Sequence, residues 1–410
     1  MGPLQGKTIV LGVSGGIAAY KAAEIVRLLT ARGASVRVMM TPNASQFITA
    51  LTMQTLSGYP VANDTFSLTQ ESEIGHIRLA DSADAIVIAP ATADIIAKAA
   101  VGIADDLVTT VLLAARCPVA FAPAMNVHMY GHPAVVENLA KLRARSVTII
   151  EPGEGELACG YEGKGRLAEP AEVVEEVERM VSRHDLGGQR LLVTAGPTVE
   201  PLDPVRVISN RSSGKMGFAV ARAAWRRGAQ VKLIAGPAAL SVPRGVERID
   251  VEDAARMLAE TSRHFPWCTA LVMAAAVADF RPARPSGQKI KKTSRAMTVE
   301  LAPIADELPR LTARKAGRVV IGFAAETENL EANAKTKLRE KKLDLIVAND
   351  VTREGAGFAV DTNVVTLIGA DGSVQSYPKM AKDEVADLIL DRLVALLSTG
   401  AKGRPLRAVK

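Results

Sequence analysis

Three stretches near the start of the chain decide its fold class: Thr8–Val13 (TIVLGV), residues 17–32 (IAAYKAAEIVRLLTAR) and Ser35–Met40 (SVRVMM). The outer two are short apolar runs rich in β-branched residues, and the middle one carries apolar residues at helical spacing. Together they read as a β-α-β unit. The same alternation predicts strands at 85–89, 119–121 and 147–150 and helices at 94–100, 105–115 and 171–182. Strands that are continuously apolar rather than alternating predict a parallel sheet buried on both faces by helices. A polar, glycine-containing joint, His184-Asp185-Leu186-Gly187-Gly188, leads into a second β start at residues 190–195. From there strands 230–235, 270–275, 318–323 and 343–348 alternate with helices 216–227, 252–263 and 329–342, ahead of a hairpin at Asp371-Gly372 and a closing helix 382–397. The expected architecture is α/β, two open doubly wound Rossmann-like domains in series over residues 1–184 and 185–400. A basic tail, residues 401–410, reads as a solvated terminus.

Composition narrows the function. With 410 residues, 48% of them hydrophobic, the chain can bury two or three cores without disulfides, which rules out disorder for most of its length. Fifty Lys+Arg against 44 Asp+Glu leave a net charge of +6, and aromatic residues are only 4%, too few for the stacking platforms of single-strand nucleic-acid binders. Small anionic ligands are the better use of that excess. Cys117, Cys159 and Cys268 are odd in number and far apart, which fits neither a disulfide framework nor a four-ligand zinc site and suits a reducing cytosol. No stretch reaches the roughly 18 apolar residues of a membrane helix; even residues 108–125 contain Arg116 and Pro118. Residues 1–7 show no charged segment ahead of an apolar stretch and cleavage site, so no leader is expected.

Chemistry concentrates where strands end. The first βα turn, Gly12-Val13-Ser14-Gly15-Gly16-Ile17, lets backbone N–H groups and the Ser14 hydroxyl approach an anion at a helix N-terminus, although small residues here also serve tight packing. The turn matches neither G-x-G-x-x-G nor the Walker pattern. Thr41 and Thr92 follow the second and third strands, and Pro123-Ala124-Met125-Asn126 follows the fourth. Each is either a helix cap or part of a ligand crevice, and three on one sheet edge favour a site. His76 begins a helical pattern, where the dipole would favour the neutral, base-competent imidazole; a structural or solvated histidine is the other reading. Cys159 sits in a glycine-rich segment from Gly155 to Gly165, expected to be a mobile lid bearing a functional thiol, whereas Cys117 reads as an ordinary buried residue.

The turn Ser14-Gly15-Gly16, the pair His76-Ile77, the segment Pro123-Ala124-Met125-Asn126 and the lid Ala158-Cys159-Gly160 through Gly163-Lys164-Gly165-Arg166 together resemble the FMN-dependent phosphopantothenoylcysteine decarboxylases. The resemblance implies a flavodoxin-like FMN domain in which His76 is a base, Asn126 holds substrate and Cys159 donates a proton. Such chemistry needs a flavin, because losing carbon dioxide from a cysteine amide leaves an unstabilised carbanion unless the thiol is transiently oxidised.

In the second half, the strand at 190–195 opens into a long proline-ordered loop, Gly196 to Gly217, that ends at a helix start with hydroxyls, an amide and cations. Loops of about 2–6 residues are usual, so its length points to an anion site rather than a plain connection. Later strand ends supply Ala274-Ala275-Ala276-Val277-Ala278-Asp279-Phe280 and Gly322-Phe323, a connecting segment supplies Lys289, and a helix carries Lys337 and Lys341 four residues apart, either a solvated face or a polyphosphate clamp. This set resembles phosphopantothenate-cysteine ligases, and the two halves in this order resemble the bifunctional bacterial enzymes of coenzyme A synthesis, up to about residue 398. The resemblance implies that CTP activates the 4'-phosphopantothenate carboxylate as an acyl-cytidylate, which cysteine then attacks. Asn210 would stabilise the acyl-cytidylate, Lys289 would assist at the anhydride, and Arg206 is a further candidate for binding it. Ala275, Asp279, Lys289, Pro303, Ile304, Ala305, Asp306, Phe323, Lys337 and Lys341 would surround CTP. Magnesium (Mg2+) would accompany the triphosphate, but no carboxylate spacing identifies its protein ligands. The family also implies homo-oligomers. A nicotinamide oxidoreductase lacks its fingerprint here, and a flavin-binding regulatory protein would leave Cys159 and the second half without a task.

Overall fold

The computed structural model describes residues 2–64, 75–156, 160–292, 294, 296–306, 308–350, 352, 353, 355, 357 and 360–401, and the chain divides into two units, Met1–Ser182 and Arg183–Lys410. In the first, β1 (Thr8–Val13), β2 (Ser35–Met40), β3 (Ala85–Ala91), β4 (Val119–Pro123) and β5 (Thr148–Ile149) form a five-stranded sheet in the order β2-β1-β3-β4-β5. Every pair is parallel. Successive side chains of a strand face opposite sides, so a continuous apolar run must fill two cores. Ile9, Leu11 and Val13 enter one core together with Val87. Val10, Ile86 and Ile88 enter the other. The stretch 17–32 divides into a 3-10 turn, Ile17–Lys21, and an α-helix, Ala22–Ala31. The expected lid is, over its described residues, an antiparallel hairpin of β6 (Gly153–Glu156) and β7 (Glu162–Arg166).

The second unit is built on β8 (Arg190–Ala195), followed by the short hairpin β9 (Val199–Pro201) and β10 (Val207–Ser209), then β11 (Gln230–Ala235), β12 (Val246–Asp250) and β13 (Ala270–Met273). A second small hairpin, β14 (Phe280–Pro282) with β15 (Leu301–Pro303), precedes β16 (Val319–Glu326), β17 (Leu345–Asp350), β18 (Thr362–Asn363), β19 (Val365–Gly369) and β20 (Val374–Ser376). The main sheet has eight strands in the order β12-β11-β8-β13-β16-β17-β19-β20. It is parallel up to β17 and antiparallel beyond, so the hairpin expected at Asp371-Gly372 forms the sheet's last edge. Again alternate residues part: Leu191 and Val193 face the core built by Phe218, Val385 and Ile389, while Leu192, Val320 and Ile346 face a second core. Helix Lys382–Ala401 places Val385, Ile389 and Leu393 at successive turns against the first of these, which is why it docks along one stripe. The long loop expected between Gly196 and Gly217 is folded back on itself through β9 and β10. Both sheets reverse direction of growth at a switch point, beside β1 in the first unit and beside β8 in the second, where strand carboxyl ends leave a crevice.

Candidate active sites

At the first switch point, β1 ends in Ser14. Its side chain is buried, its hydroxyl donates to the Pro90 carbonyl at 2.7 Å, and it accepts the Thr92 amide at 3.0 Å. The hydroxyl expected to approach an anion is here turned to the Pro90 carbonyl, where it locks two loops together. Backbone amides are left to that task, since Gly16 is extended and no side chain caps the turn that follows. Gly15 is required sterically, because a Cβ there would lie 2.4 Å from the Asn43 Cβ. Thr41 accepts the Ala44 amide, Thr92 the Ile95 amide and Asn126 the His128 amide, so all three act as helix caps. The caps place their loops side by side. Ala124 N donates to Ala91 O and Met125 N to Gly165 O, each at 3.0 Å, which ties the β4 edge to β3 on one side and to β7 on the other. At Gly165 a Cβ would sit 2.3 Å from the Met125 carbonyl oxygen.

Glu151 anchors the hairpin, receiving the Tyr130 hydroxyl at 3.0 Å, Arg143 at 2.5 Å and Lys164 at 2.8 Å. Burial pushes its carboxyl up, but Lys164, Tyr130 and Arg143 together hold it below the usual range. His76 lies on helix Gly75–Ser82, which packs against Leu107–Ala114, and its Nδ1 is buried with no hydrogen-bond partner among the described residues. Cys159 lies outside the described residues. Cys117 is only half-buried, and burial pushes its thiol up, against reactivity. Capless amides beside tight glycines and an orphaned buried imidazole nitrogen fit a phosphate-bearing cofactor with an ionisable substrate.

At the second switch point the strand ends enclose a cavity of about 500 Å³. Its wall includes Asn210, Ala275, Asp279, Ile304, Ala305, Asp306, Phe323, Lys337 and Lys341, residues spread over a hundred positions of sequence. Asn210 donates its side-chain amide to the Ala276 and Val277 carbonyls at 3.3 and 3.1 Å, and Lys341 pairs with Asp306 at 2.8 Å. Three expected residues are absent from the wall: Arg206, Lys289 and Pro303. Pro303 ends β15, paired with Phe280, one position short of the lining. Lys289 is exposed, and Arg206 is turned to Asp203 at 2.7 Å and to the Ile290 carbonyl at 2.6 Å.

The wall also holds Lys215, one of the cations closing the loop read as an anion site, and Lys382, to which sequence reasoning gave no role. Lys215 pairs with Asp361 at 2.6 Å, and buried Lys382 donates to the Val360 and Gly357 carbonyls. Burial, reinforced by Lys215, holds the Lys382 ammonium below the ordinary lysine range. Each lysine sits at a helix start, and at Lys382 sequence alone reads a solvated first turn. Among the described residues no group of three or more His, Cys, Asp or Glu could hold a metal, and no helix is long and apolar enough to cross a membrane.

The two units correspond to two family models, Flavoprotein over residues 2–182 and DNA/pantothenate metabolism flavoprotein C-terminal domain over residues 186–397. The coenzyme A biosynthesis bifunctional protein CoaBC of Bacillus subtilis (strain 168) is 47% identical over 397 residues, 96% of this chain and 98% of that protein. The chain belongs to the bifunctional coenzyme A biosynthesis family. A CoaBC relative from Vibrio cholerae is 46% identical over 393 residues, 95% of this chain and 98% of its own. A crystal structure of a CoaBC C-terminal domain, 40% identical, covers 53% of this chain and 99% of its own with a TM-score of 0.46. As a CoaBC family member the chain is a two-activity enzyme, and the α/β class and the family read from its motifs both stand.

Proposed function

We propose that this CoaBC family member performs two successive steps of coenzyme A synthesis. Residues 185–400 ligate 4'-phosphopantothenate to cysteine at the expense of CTP, and residues 1–184 decarboxylate the product with FMN to 4'-phosphopantetheine. The observation that carries this reading is the second-unit cavity, which joins Asn210, Asp279, Phe323 and the Lys337–Lys341 pair in about 500 Å³, a size suited to one nucleotide-sized ligand.

A carboxylate lacks a leaving group, so its oxygen attacks the CTP α-phosphorus, pyrophosphate departs, and the cysteine amine then displaces CMP from the mixed anhydride. Lys337 and Lys341 neutralise phosphate charge, Asp279 and Phe323 with the 303–306 turn hold the nucleotide, and Asn210 and Lys289 stabilise charge at the anhydride. Mg2+ would accompany the triphosphate and would offset its negative charge.

Bound FMN supplies reversible two-electron oxidation of the substrate thiol, which makes loss of carbon dioxide feasible. Gly15 and Gly16 amides, within the turns set by Ser14, Thr41 and Thr92, hold the cofactor phosphate. His76 accepts a proton at its ring, Asn126 orients the substrate, and Cys159 returns a proton to the enethiol. We assign the chain to the cytoplasm as a homo-oligomer acting on small molecules, with no nucleic-acid or membrane partner.

The test is to purify the full chain, record its visible absorption, and incubate it with phosphopantothenate, cysteine and CTP under mass spectrometry. Yellow protein yielding phosphopantetheine, carbon dioxide, CMP and pyrophosphate is the expected result. Colourless protein that stops at phosphopantothenoylcysteine would remove the decarboxylase, and no CTP-dependent product would remove the ligase.

A further inference from the structure

Asp203 is 2% exposed, yet it lies in the short turn between β9 and β10, where exposed Pro204, Val205 and Arg206 surround it. A buried carboxylate is costly unless its lone pairs are filled, and here they are. Oδ1 accepts the Val205 and Arg206 amides, both at 2.8 Å. Oδ2 accepts Arg206 Nε at 3.0 Å, Arg206 Nη2 at 2.7 Å and the Ile290 amide at 3.1 Å. Arg206 Nη2 also donates to the Ile290 carbonyl at 2.6 Å. Both backbone polar groups of Ile290 are therefore held by one ion pair that is 87 and 84 residues away in sequence. The Ser286 amide adds a second tie, to the Leu202 carbonyl at 2.9 Å.

Closing a local turn needs only the Oδ1 bonds; the Ile290 amide bond to Oδ2, with the Arg206 bond to the Ile290 carbonyl, reaches another segment. That segment carries Lys289, whose side chain is exposed. A lysine on a flexible stem can be delivered to one point only if its backbone is fixed, because the side chain alone already has many rotamers to restrict. We propose that Asp203 is a positioning residue for the ligation: with Arg206 it grips Ile290 and so sets where Lys289 reaches the anhydride. Arg206 then works through Lys289 rather than as a direct ligand of the acyl-cytidylate. The inference rests on the ligase reading given above.

The test uses the full chain and four variants, Lys289→Gln, Asp203→Asn, Arg206→Lys and the double variant Asp203→Asn/Lys289→Gln. Arg206→Lys keeps the charge but cannot bridge Asp203 and Ile290 together, so it serves if Asp203→Asn folds poorly. Misplacing a reacting group by an ångström costs on the order of 100-fold; Asp203→Asn and Arg206→Lys are each expected to lower ligation kcat by roughly 10–100-fold with little change in the KM for CTP. The double variant is expected to be no slower than Lys289→Gln alone, and trypsin is expected to cut after Lys289 faster in Asp203→Asn than in the unchanged chain. Losses that multiply in the double variant, or wild-type kcat and cleavage rate in both Asp203→Asn and Arg206→Lys, would overturn the proposal. Full activity in Lys289→Gln would overturn it as well, by removing Lys289 from the reaction. Absence of ligation by the unchanged chain would instead overturn the ligase reading beneath it.

Discussion

The two switch points use the polar side chains at their strand ends differently. In the first unit the polar side chains at the strand ends are spent on the chain itself: Ser14 bridges Pro90 and Thr92, and Thr41, Thr92 and Asn126 cap helices. On the proposed reading, what would face a ligand there is backbone, positioned by those bonds. In the second unit side chains line a cavity, with lysines from the helix starts and from helix Leu330–Glu340 and its C-cap. Backbone recognition tolerates little change in shape, whereas side-chain recognition can be trimmed one group at a time. Function and stability should therefore part company in the second unit and fail together in the first.

The sharpest test is Asn210→Ala, expected to lower ligation by about 100-fold or more, as removal of one preorganised donor does. Decarboxylation of supplied phosphopantothenoylcysteine and the melting temperature should stay near wild type; equal loss of both activities would break the contrast. Next, Lys341→Met should raise the KM for CTP about tenfold, the worth of one charge-assisted contact, again with the fold intact by circular dichroism. In the first unit, Gly15→Ala forces its Cβ onto Asn43 and should cost about 1–3 kcal/mol of stability, with bound flavin absorbance falling in the same preparation. Retained flavin in a destabilised variant would show that the turn is packing alone.

Asp203 refines the contrast, because it is a buried side chain of the second unit, outside the cavity wall, that is spent on structure. Burial pushes its carboxyl up, but the amides of Val205, Arg206 and Ile290 and the Arg206 guanidinium outweigh this and hold it well below the usual carboxylate range. A lowered native value means its stabilising effect is complete above the ordinary value of about 4 and fades as pH falls through the native one. The smallest expected effect follows: Asp203→Asn should lower the melting temperature at pH 7, and the gap should narrow below about pH 4. A gap that is constant across pH would mean that charge is not what Asp203 contributes.

Much of the fold was legible because burial on both faces writes itself locally. Thr8–Val13 and Ser35–Met40 match the observed strands. The long loop after β8 was legible as a site but not as a hairpin, since the pairing of Val199 with Ser209 depends on a turn that Asp203 organises from within. The first-unit hydroxyls were ambiguous in principle: a threonine after a strand caps or binds with the same local sequence, and only the position of the neighbouring amide decides. Lys382 escaped notice because a lysine at a helix start ordinarily points to water.

By itself, the sequence determined the α/β class, the two-part order and the family, because periodicity and contiguous motifs are properties of neighbours along the chain. Tertiary structure alone decided which strand lies beside β1 and β8, which polar groups were already satisfied, and that Asp203 and Arg206 hold Ile290. Those depend on hydrogen bonds between segments 87 and even 146 residues apart, whose geometry is set by sheet order and register rather than by any local pattern.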